Sequence, residues 1–278
     1  MPTINTNVAA IRARSNLDKV QRDMDQSIAR LSSGKRITRA ADDAAGLAIS
    51  GRMESQIRGL SMSIRNTKDG QSLVDTQEGA LQEVAGILQR MRELAVQASS
   101  GIAASADKNF LNTEMGQLYQ EIDAIGANTK FNDRNILTGA AFTFYTDIDV
   151  KGVAVTATAL SISGAALGVG LSSTLVSIGS ASNNAAIKIT ISLVDGAIAS
   201  VAGMRSNLGA ISNRFDHIVD NLTNIVANTE SAKSRILDAD FAVETTQLTR
   251  NTVLQQAATS MVAQANAQKN SILALIQG

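Results

Sequence analysis

The chain of 278 residues contains no cysteine, no tryptophan, one proline and one histidine. Without cysteine it cannot form disulfides, thiol nucleophiles or cysteinyl metal sites. The single histidine, His217, excludes sites built from several histidines and the H-E-x-x-H zinc signature. Because the only proline is Pro2, the strongest helix breaker is missing from the rest of the chain, and long helices are permitted almost everywhere.

Charge and hydropathy exclude two further classes of protein. The 25 basic and 25 acidic side chains give a formal net charge of zero, so the basic excess that nucleic-acid binding requires is missing. No uninterrupted apolar run reaches the roughly 18 residues of a membrane-spanning helix, and we expect no membrane insertion. The first thirty residues are charged throughout and lack the apolar segment of a cleavable signal peptide. We therefore expect a cytoplasmic protein, or one exported by a machine that does not read such a signal.

Apolar residues at spacings of three and four predict long amphipathic helices in the first half of the chain. The first helix covers residues 4–31 and ends at the turn 32–34 (SSG), where glycine can take the left-handed conformation. A second runs from about residue 43 to 99, and a third contains the apolar positions between residues 111 and 125. The Asn/Asp-rich run 132–135 then interrupts the pattern.

Residues 139–193 differ from their surroundings, because they are rich in Gly, Ala, Ser and Thr and contain few charges. Alternation at 153–156 (VAVT) and at 187–191 (IKITI) predicts short strands and hairpins. We interpret this region as a small β-rich insert.

The helical pattern returns at Val194 and continues to Ile225 with spacings of only three and four. A final helix then has few charges and many Asn and Gln residues, so in isolation it should be only marginally stable. The predicted fold is mainly α, an elongated antiparallel bundle of long helices with a small central β-hairpin insert. Apolar faces left over at both chain ends are typical of a subunit that assembles with copies of itself.

Several motifs resemble the signature of bacterial flagellins. They lie in order in both halves of the chain: 4–7 (INTN), 31–37 (LSSGKRI), 41–49 (ADDAAGLAI), 88–97 (LQRMRELAVQ), 208–215 (LGAISNRF), 254–257 (LQQA) and 261–266 (MVAQAN). The likeness covers residues 1 to about 138 and about 194 to 278, which leaves the insert unmatched.

The resemblance implies a structural subunit of the flagellar filament, exported through the flagellar type III channel, with no enzymatic activity and no cofactor. It implies an inner domain of terminal helices at 1–43 and 236–278, which lines the filament channel. A rod domain would comprise 44–138 and 194–235, with the β-rich insert at 139–193. The filament-assembly contacts are predicted at the apolar residues of the terminal helices: Ile4, Val8, Ile11, Leu31, Leu254, Ala257, Met261, Ala265, Ile272 and Leu275.

The resemblance also implies partners: further copies of the chain, the filament cap, hook-junction proteins, and an export chaperone on the C-terminal helix. In flagellins of this motif type a vertebrate Toll-like receptor recognises a surface that matches Leu88, Gln89, Arg90, Glu93, Leu94 and Glu114. Ordinary solvated residues of a coiled coil are the alternative interpretation of that charged face. Sites of O-glycosylation are predicted at Ser161, Ser163, Ser172, Ser173, Thr174 and Ser177, and exposed polar residues of a β surface are the alternative.

Other functions explain less of the sequence. A hook-filament junction protein has related termini and would differ mainly in its low copy number, whereas an unrelated coiled-coil adaptor would not explain the ordered motifs. His217 lacks a second histidine with which to form a site. The pair Asp42 and Asp43 precedes a helix start, where carboxylates stabilise the positive end of the helix dipole. We predict no catalytic residue.

Overall fold

Five α-helices make up most of the described structure. The computed structural model describes residues 6–100, 103–137, 142–144, 155–157, 178 and 184–277, without side chains at 155–157, 184 and 268–277. The helices are α1 (Val8–Ser33), α2 (Ala44–Ala98), α3 (Ser105–Asn128), α4 (Asn184–Leu237) and α5 (Phe241–Gln277). Four short strands are β1 (Lys130–Phe131), β2 (Arg134–Asn135), β3 (Phe142–Phe144) and β4 (Val155–Ala157). The predicted class, mainly α with a small β element, is confirmed.

The ends of the first two helices follow from local chemistry. Gly34 has φ of 69° and ends α1 in the left-handed conformation, as the SSG turn predicted. Asp43 caps α2, because its Oδ1 accepts a hydrogen bond of 2.8 Å from the amide of Gly46. Of the two acidic residues Asp42 and Asp43, only Asp43 therefore caps the start of α2.

The chain divides into two compact units. One comprises Met1–Ile57 and Ala227–Gly278 and includes α1 packed against α5. The other comprises Arg58–Val226 and includes most of α2 and α4 together with α3 and the strands. The division passes through α2 and α4, whereas the sequence places its boundaries at residues 43 and 236; those boundaries stay a prediction.

The second unit has a continuous apolar core between α2, α3 and α4. The two long helices run antiparallel, because Arg92 pairs with Asp195 and Arg205 with Glu78. All three helices contribute to this core: Leu73, Val74, Leu81, Val84, Leu88, Met91, Leu94, Ala95 and Ala98 of α2, Met115 and Ile122 of α3, and Ile187, Val194, Ala197, Val201, Leu208, Ile211 and Phe215 of α4. Burial of these stripes is what stabilises helices of such length.

The strands form two antiparallel pairs. The first, β1 with β2, closes at Asn132 and Asp133, whose φ values of 50° and 61° are those of a type I′ hairpin turn. The sequence run was interpreted only as a helix break, so this hairpin was missed. In the second pair Phe142 lies opposite Ala157 and Phe144 opposite Val155, which places a β-hairpin in the predicted insert.

The prediction of a strand at residues 187–191 is wrong, because α4 begins at Asn184 and contains them. The alternating Ile-Lys-Ile-Thr-Ile also fits helical spacing, and Ile187, Thr190 and Val194 are buried on one side of α4. Only the part of the insert before residue 184 is therefore available for strands.

By length and composition alone, one helix of the described residues could cross a membrane. A window of 18 residues in α4, within Ala185–Leu237, has a mean hydropathy of 1.6. The apolar residues Ile187, Val194, Val201 and Leu208 of this helix are buried in the core of the second unit. Core packing therefore accounts for the hydropathy of α4.

A close contact joins the second hairpin to the long helices. The rings of Phe144 and Phe215 meet edge to face at a centroid distance of 6.0 Å. Gly70 of α2 lies beneath them, and a Cβ atom there would be 3.0 Å from Cζ of Phe215 and 3.2 Å from Cγ of Phe144. The absence of a side chain at Gly70 permits this close approach.

Candidate functional site

Helices α1 and α5 form an antiparallel seam within the first unit. Asn7 Nδ2 donates to the carbonyl of Ala265 at 3.0 Å, and Arg30 pairs with Glu244 at the other end. Buried and half-buried positions recur every three or four residues on both helices, which is the spacing of a coiled coil. They include Ala10, Ala13, Leu17, Val20, Met24, Ser27 and Leu31 on α1, and Glu244, Leu248, Asn251, Gln255, Ala258, Val262 and Ala265 on α5.

The most buried residues of this seam are polar. Ser27, Glu244 and Asn251 are 3%, 7% and 4% exposed. Glu244 Oε1 accepts a hydrogen bond of 3.0 Å from Arg30 Nη1, and Gln255 Nε2 donates to Oε1 of Gln21 at 2.7 Å. The sequence did not identify these residues as seam positions; the available signal was the helical spacing of Glu244, Asn251 and Gln255.

The predicted assembly residues lie mostly outside the seam. Val8 and Ile11 of α1 are 47% and 59% exposed, and Leu254 and Met261 of α5 are 45% and 63% exposed. Ala257 is exposed as well. Each of these three α5 residues directly precedes a seam residue, so they share a face about 100° away from the seam. We call Leu254, Ala257 and Met261 the outer face of α5.

The remaining predicted assembly residues divide differently. Leu31 and Ala265 are half-buried in the seam. Ile272 and Leu275 are in α5, but their side chains lie outside the described residues, as does all of Ile4. The predicted assembly residues that the structure describes thus all lie on α1 and α5. Some are in the seam between the two helices, and the others are exposed.

Backbone hydrogen bonds tie the segment after α1 to the junction of α4 and α5. The amide of Arg36 donates to Leu237 at 2.7 Å, and the amide of Ala239 donates to Gly34 at 2.9 Å. Arg36 Nη2 also donates to the carbonyl of Ile236 at 2.7 Å, where it caps the end of α4. These hydrogen bonds therefore join the segment after α1 to the segment between α4 and α5.

A second carboxylate shapes the segment that leads into α2. Asp42 Oδ2 accepts hydrogen bonds of 3.0 Å from the amides of Thr38 and Arg39 and from the Thr38 hydroxyl. Its Oδ1 accepts from Gln26 Nε2 of α1 at 3.1 Å. The amide hydrogen bond from Thr38, followed by that from Arg39, lowers the pKa of Asp42 below its ordinary value. The ionised carboxylate of Asp42 thus holds this loop against α1.

The predicted receptor surface contains an ordered ion cluster in the second unit. Arg90 Nε donates to Glu114 Oε1 at 3.0 Å, and Arg90 Nη1 donates to Glu93 Oε2 at 3.1 Å. The hydrogen bond to Glu114, then that to Glu93, raises the pKa of the Arg90 guanidinium. Gln89 is exposed beside this cluster. The two helices α2 and α3 therefore present one preorganised charged patch.

Two of the predicted receptor residues are not on that surface. Leu88 and Leu94 are fully buried in the core of the second unit. They can hold the helix that presents Arg90 and Glu93, but they cannot themselves contact a partner. The six predicted glycosylation residues, Ser161, Ser163, Ser172, Ser173, Thr174 and Ser177, lie outside the described residues.

Two family models match the chain. One, described as the bacterial flagellin N-terminal helical region, matches residues 4–141, and the other, described as the C-terminal helical region, matches residues 191–276. The flagellin of Halalkalibacterium halodurans is 39% identical over 275 residues, which are 99% of each chain. Neither model covers residues 142–190, which lie between the two matches.

Solved structures agree with this result. A crystal structure of Bacillus cereus flagellin is similar with a TM-score of 0.50 and 32% identity, and covers 59% of this chain and 94% of that one. A hook-associated protein of Vibrio parahaemolyticus, described as putative, has a TM-score of 0.63 over 71% of this chain. At 14% identity it shows a shared fold only. The chain therefore belongs to the bacterial flagellin family, whose members are the structural subunits of the flagellar filament.

Proposed function

We propose that this chain polymerises through its two terminal helices, with the outer face of α5 and the exposed apolar residues of α1 contacting neighbouring copies. Residues 1–43 and 236–278 form the inner domain around the filament channel, 44–138 and 194–235 the rod, and 139–193 the insert. The subunit leaves the cell through the flagellar type III channel, and its filament drives swimming.

The single observation that supports the assembly role is the position of the apolar residues on the first unit. Val8, Ile11, Leu254 and Met261 are large, apolar and about half or more exposed, while the α1–α5 seam beneath them buries polar groups. Several large apolar residues exposed on one helix pair are typical of an interface between subunits. Zero net charge favours close packing of many copies.

The test replaces the two exposed apolar residues of α1. Val8→Ser with Ile11→Ser should slow or abolish seeded growth of filaments, measured by sedimentation and electron microscopy. The unfolding of the soluble chain should stay unchanged, since neither residue is buried. Ala9→Ser, at an exposed position between them, is the control and should assemble normally. Normal growth of the double variant would contradict the proposal.

Further partners follow from this role. We propose contacts with the filament cap and hook-junction proteins at the filament ends, and with an export chaperone on α5, whose outer face is exposed before assembly. A role as hook-filament junction protein remains the alternative, and the copy number in sheared filaments distinguishes the two.

A second function is proposed for the ion cluster around Arg90, as a surface recognised by a vertebrate Toll-like receptor. The preordered Arg90, Glu93 and Glu114 support it, because a cluster fixed before binding loses little side-chain entropy. Arg90→Ala should lower receptor activation by soluble subunits in a reporter assay. Arg92→Ala is the matched control, since Arg92 is also exposed but pairs with Asp195 of α4. Equal activation by both variants would contradict this function.

A further inference from the structure

Phe110 of α3 is an aromatic residue that the second unit leaves uncovered. Its side chain is 75% exposed, whereas the other phenylalanines of this unit are buried or half-buried: Phe131, Phe142, Phe144 and Phe215. The ring therefore contributes little to packing within the chain. Single exposed apolar residues are common on protein surfaces, so the surroundings of Phe110 decide whether it has a role.

Phe110 belongs to the same surface as the ion cluster around Arg90. Glu114, which pairs with Arg90, is four residues after Phe110, and residues four apart lie on one face of a helix. On α2, Gln97 is seven residues, or two turns, after Arg90. A cavity of about 550 Å³ lies beside the ring, and it is lined by Gln97, Ser100, Ala103, Asp107, Phe110 and Leu111. The ring, the cavity and the ion cluster are therefore neighbouring parts of one surface.

The side chains around this ring are mainly acidic. Asp107 is one turn before Phe110 and Glu114 is one turn after it, so a carboxylate lies on each side of the ring. Lys108 is about 200° around α3 from Phe110 and therefore on another face. One positive and three negative side chains give the surface a net charge of −2: Arg90, Glu93, Asp107 and Glu114. Such a surface attracts a cationic group.

Both carboxylates beside the ring can accept further hydrogen bonds. Asp107 Oδ2 accepts a hydrogen bond of 3.2 Å from the amide of Ala104, and Glu114 Oε1 accepts from Arg90. The two oxygens of a carboxylate can together accept about four hydrogen bonds. Asp107 is exposed, and the side chain of Glu114 is 43% exposed. A donor that approaches the ring from solvent can therefore reach either carboxylate.

We propose that Phe110 is a central contact of the proposed receptor surface, and that its ring binds an arginine or lysine side chain of the receptor. The face of an aromatic ring attracts a cation, and Asp107 or Glu114 pairs with the same charge. The aliphatic part of that side chain lies along the apolar wall of the neighbouring cavity. The inference rests on the proposed receptor function and adds to it the chemistry of the group that is recognised.

Binding of the full-length soluble chain to the purified receptor ectodomain tests this contact. Phe110→Leu keeps an apolar side chain but removes the aromatic face, so it should weaken binding by about 3- to 30-fold. Phe110→Trp offers a stronger aromatic face and should bind at least as tightly as the parent chain. Both variants should unfold at the parent temperature, because the ring is exposed. Surface plasmon resonance measures the dissociation constants.

Two further variants are measured in the same assay. Met62→Leu changes another exposed apolar residue of the second unit, roughly 40 Å along α2 from Arg90, and should bind like the parent chain. Arg90→Ala reports on the receptor surface itself. If Arg90→Ala weakens binding while Phe110→Leu does not, the role of Phe110 is overturned and the receptor function stands.

Other results would also overturn the proposal. Weaker binding by Phe110→Trp than by Phe110→Leu would show that the aromatic face is not what the receptor recognises. No binding by the parent chain would overturn the receptor function together with this inference. If a neighbouring copy covers Phe110 instead, Phe110→Leu should raise the critical concentration of seeded filament growth and bind the receptor like the parent chain, which contradicts the proposal.

Discussion

Replacement of Met261 by serine measures how much the outer face of α5 contributes to assembly. Met261 is 63% exposed in the single chain. Complete burial of a methionine side chain contributes about 1.5–3 kcal/mol. If neighbouring copies cover the exposed part, the variant should lose about 1–2 kcal/mol per subunit contact, which corresponds to a rise in critical concentration of about 5- to 30-fold.

The assay is seeded polymerisation at a series of subunit concentrations, with the unassembled fraction measured after sedimentation. Met261→Ser should leave the thermal unfolding of the soluble chain unchanged, because the side chain contributes little to packing within it. Gln256→Ser, at an exposed polar position on the other side of the seam from the outer face, is the control and should assemble at the parent concentration. A Met261→Ser chain with the parent's critical concentration would refute the role assigned to the outer face.

Two further predictions concern the fold. Gly70→Ala should be less stable than Gly79→Ala by about 1–3 kcal/mol in thermal unfolding. A Cβ atom at Gly70 would lie 3.0 Å from Phe215, whereas nothing lies within 4 Å of a Cβ atom at Gly79. Equal stability of the two alanine variants would contradict the close packing at Gly70. Asp42→Asn should destabilise the chain at neutral pH, and its difference from the parent should shrink as the pH falls through the lowered pKa of Asp42, because a carboxylate with a lowered pKa contributes stability that protonation removes. Unfolding at neutral and strongly acidic pH measures this, with the exposed Asp18→Asn as control, and a difference that does not depend on pH would exclude the ionised carboxylate as its cause.

The long helices could be predicted from the sequence because their apolar periodicity extends over many turns. Val194, Val201, Leu208 and Phe215 belong to a stripe that fits only a helix, and all four are buried. The segment 187–191 was different, because its five residues, four of them β-branched, fit a strand and a helix equally well. Its environment in α4 decided between them, and a local pattern contains no information about that environment.

The functional surfaces could be predicted only in part. The sequence identified Leu254, Ala257 and Met261 as apolar positions of a helix, but not that they face away from α1. Packing between α1 and α5 decides this, and it joins residues such as Arg30 and Glu244, which are more than two hundred positions apart in the chain. A hydrogen bond between such distant residues leaves no local periodicity.

The hairpin at Asn132 and Asp133 was missed for a related reason. Asn and Asp interrupt helices, but both also tolerate positive φ, and two such residues in succession form a type I′ turn. The strands on either side have only two residues each, too few to show an alternating pattern.

The tie between Gly34 and Ala239 has a consequence for the order of folding. The hydrogen bond from Asn7 to Ala265 joins residues 258 positions apart, so the first unit cannot close until nearly all of the polypeptide is available. Contacts across such a separation form late, because the entropy of closing the intervening loop must be overcome first. A chain that is still being synthesised therefore keeps α1 unpaired, and α5, the last helix to appear, completes the first unit.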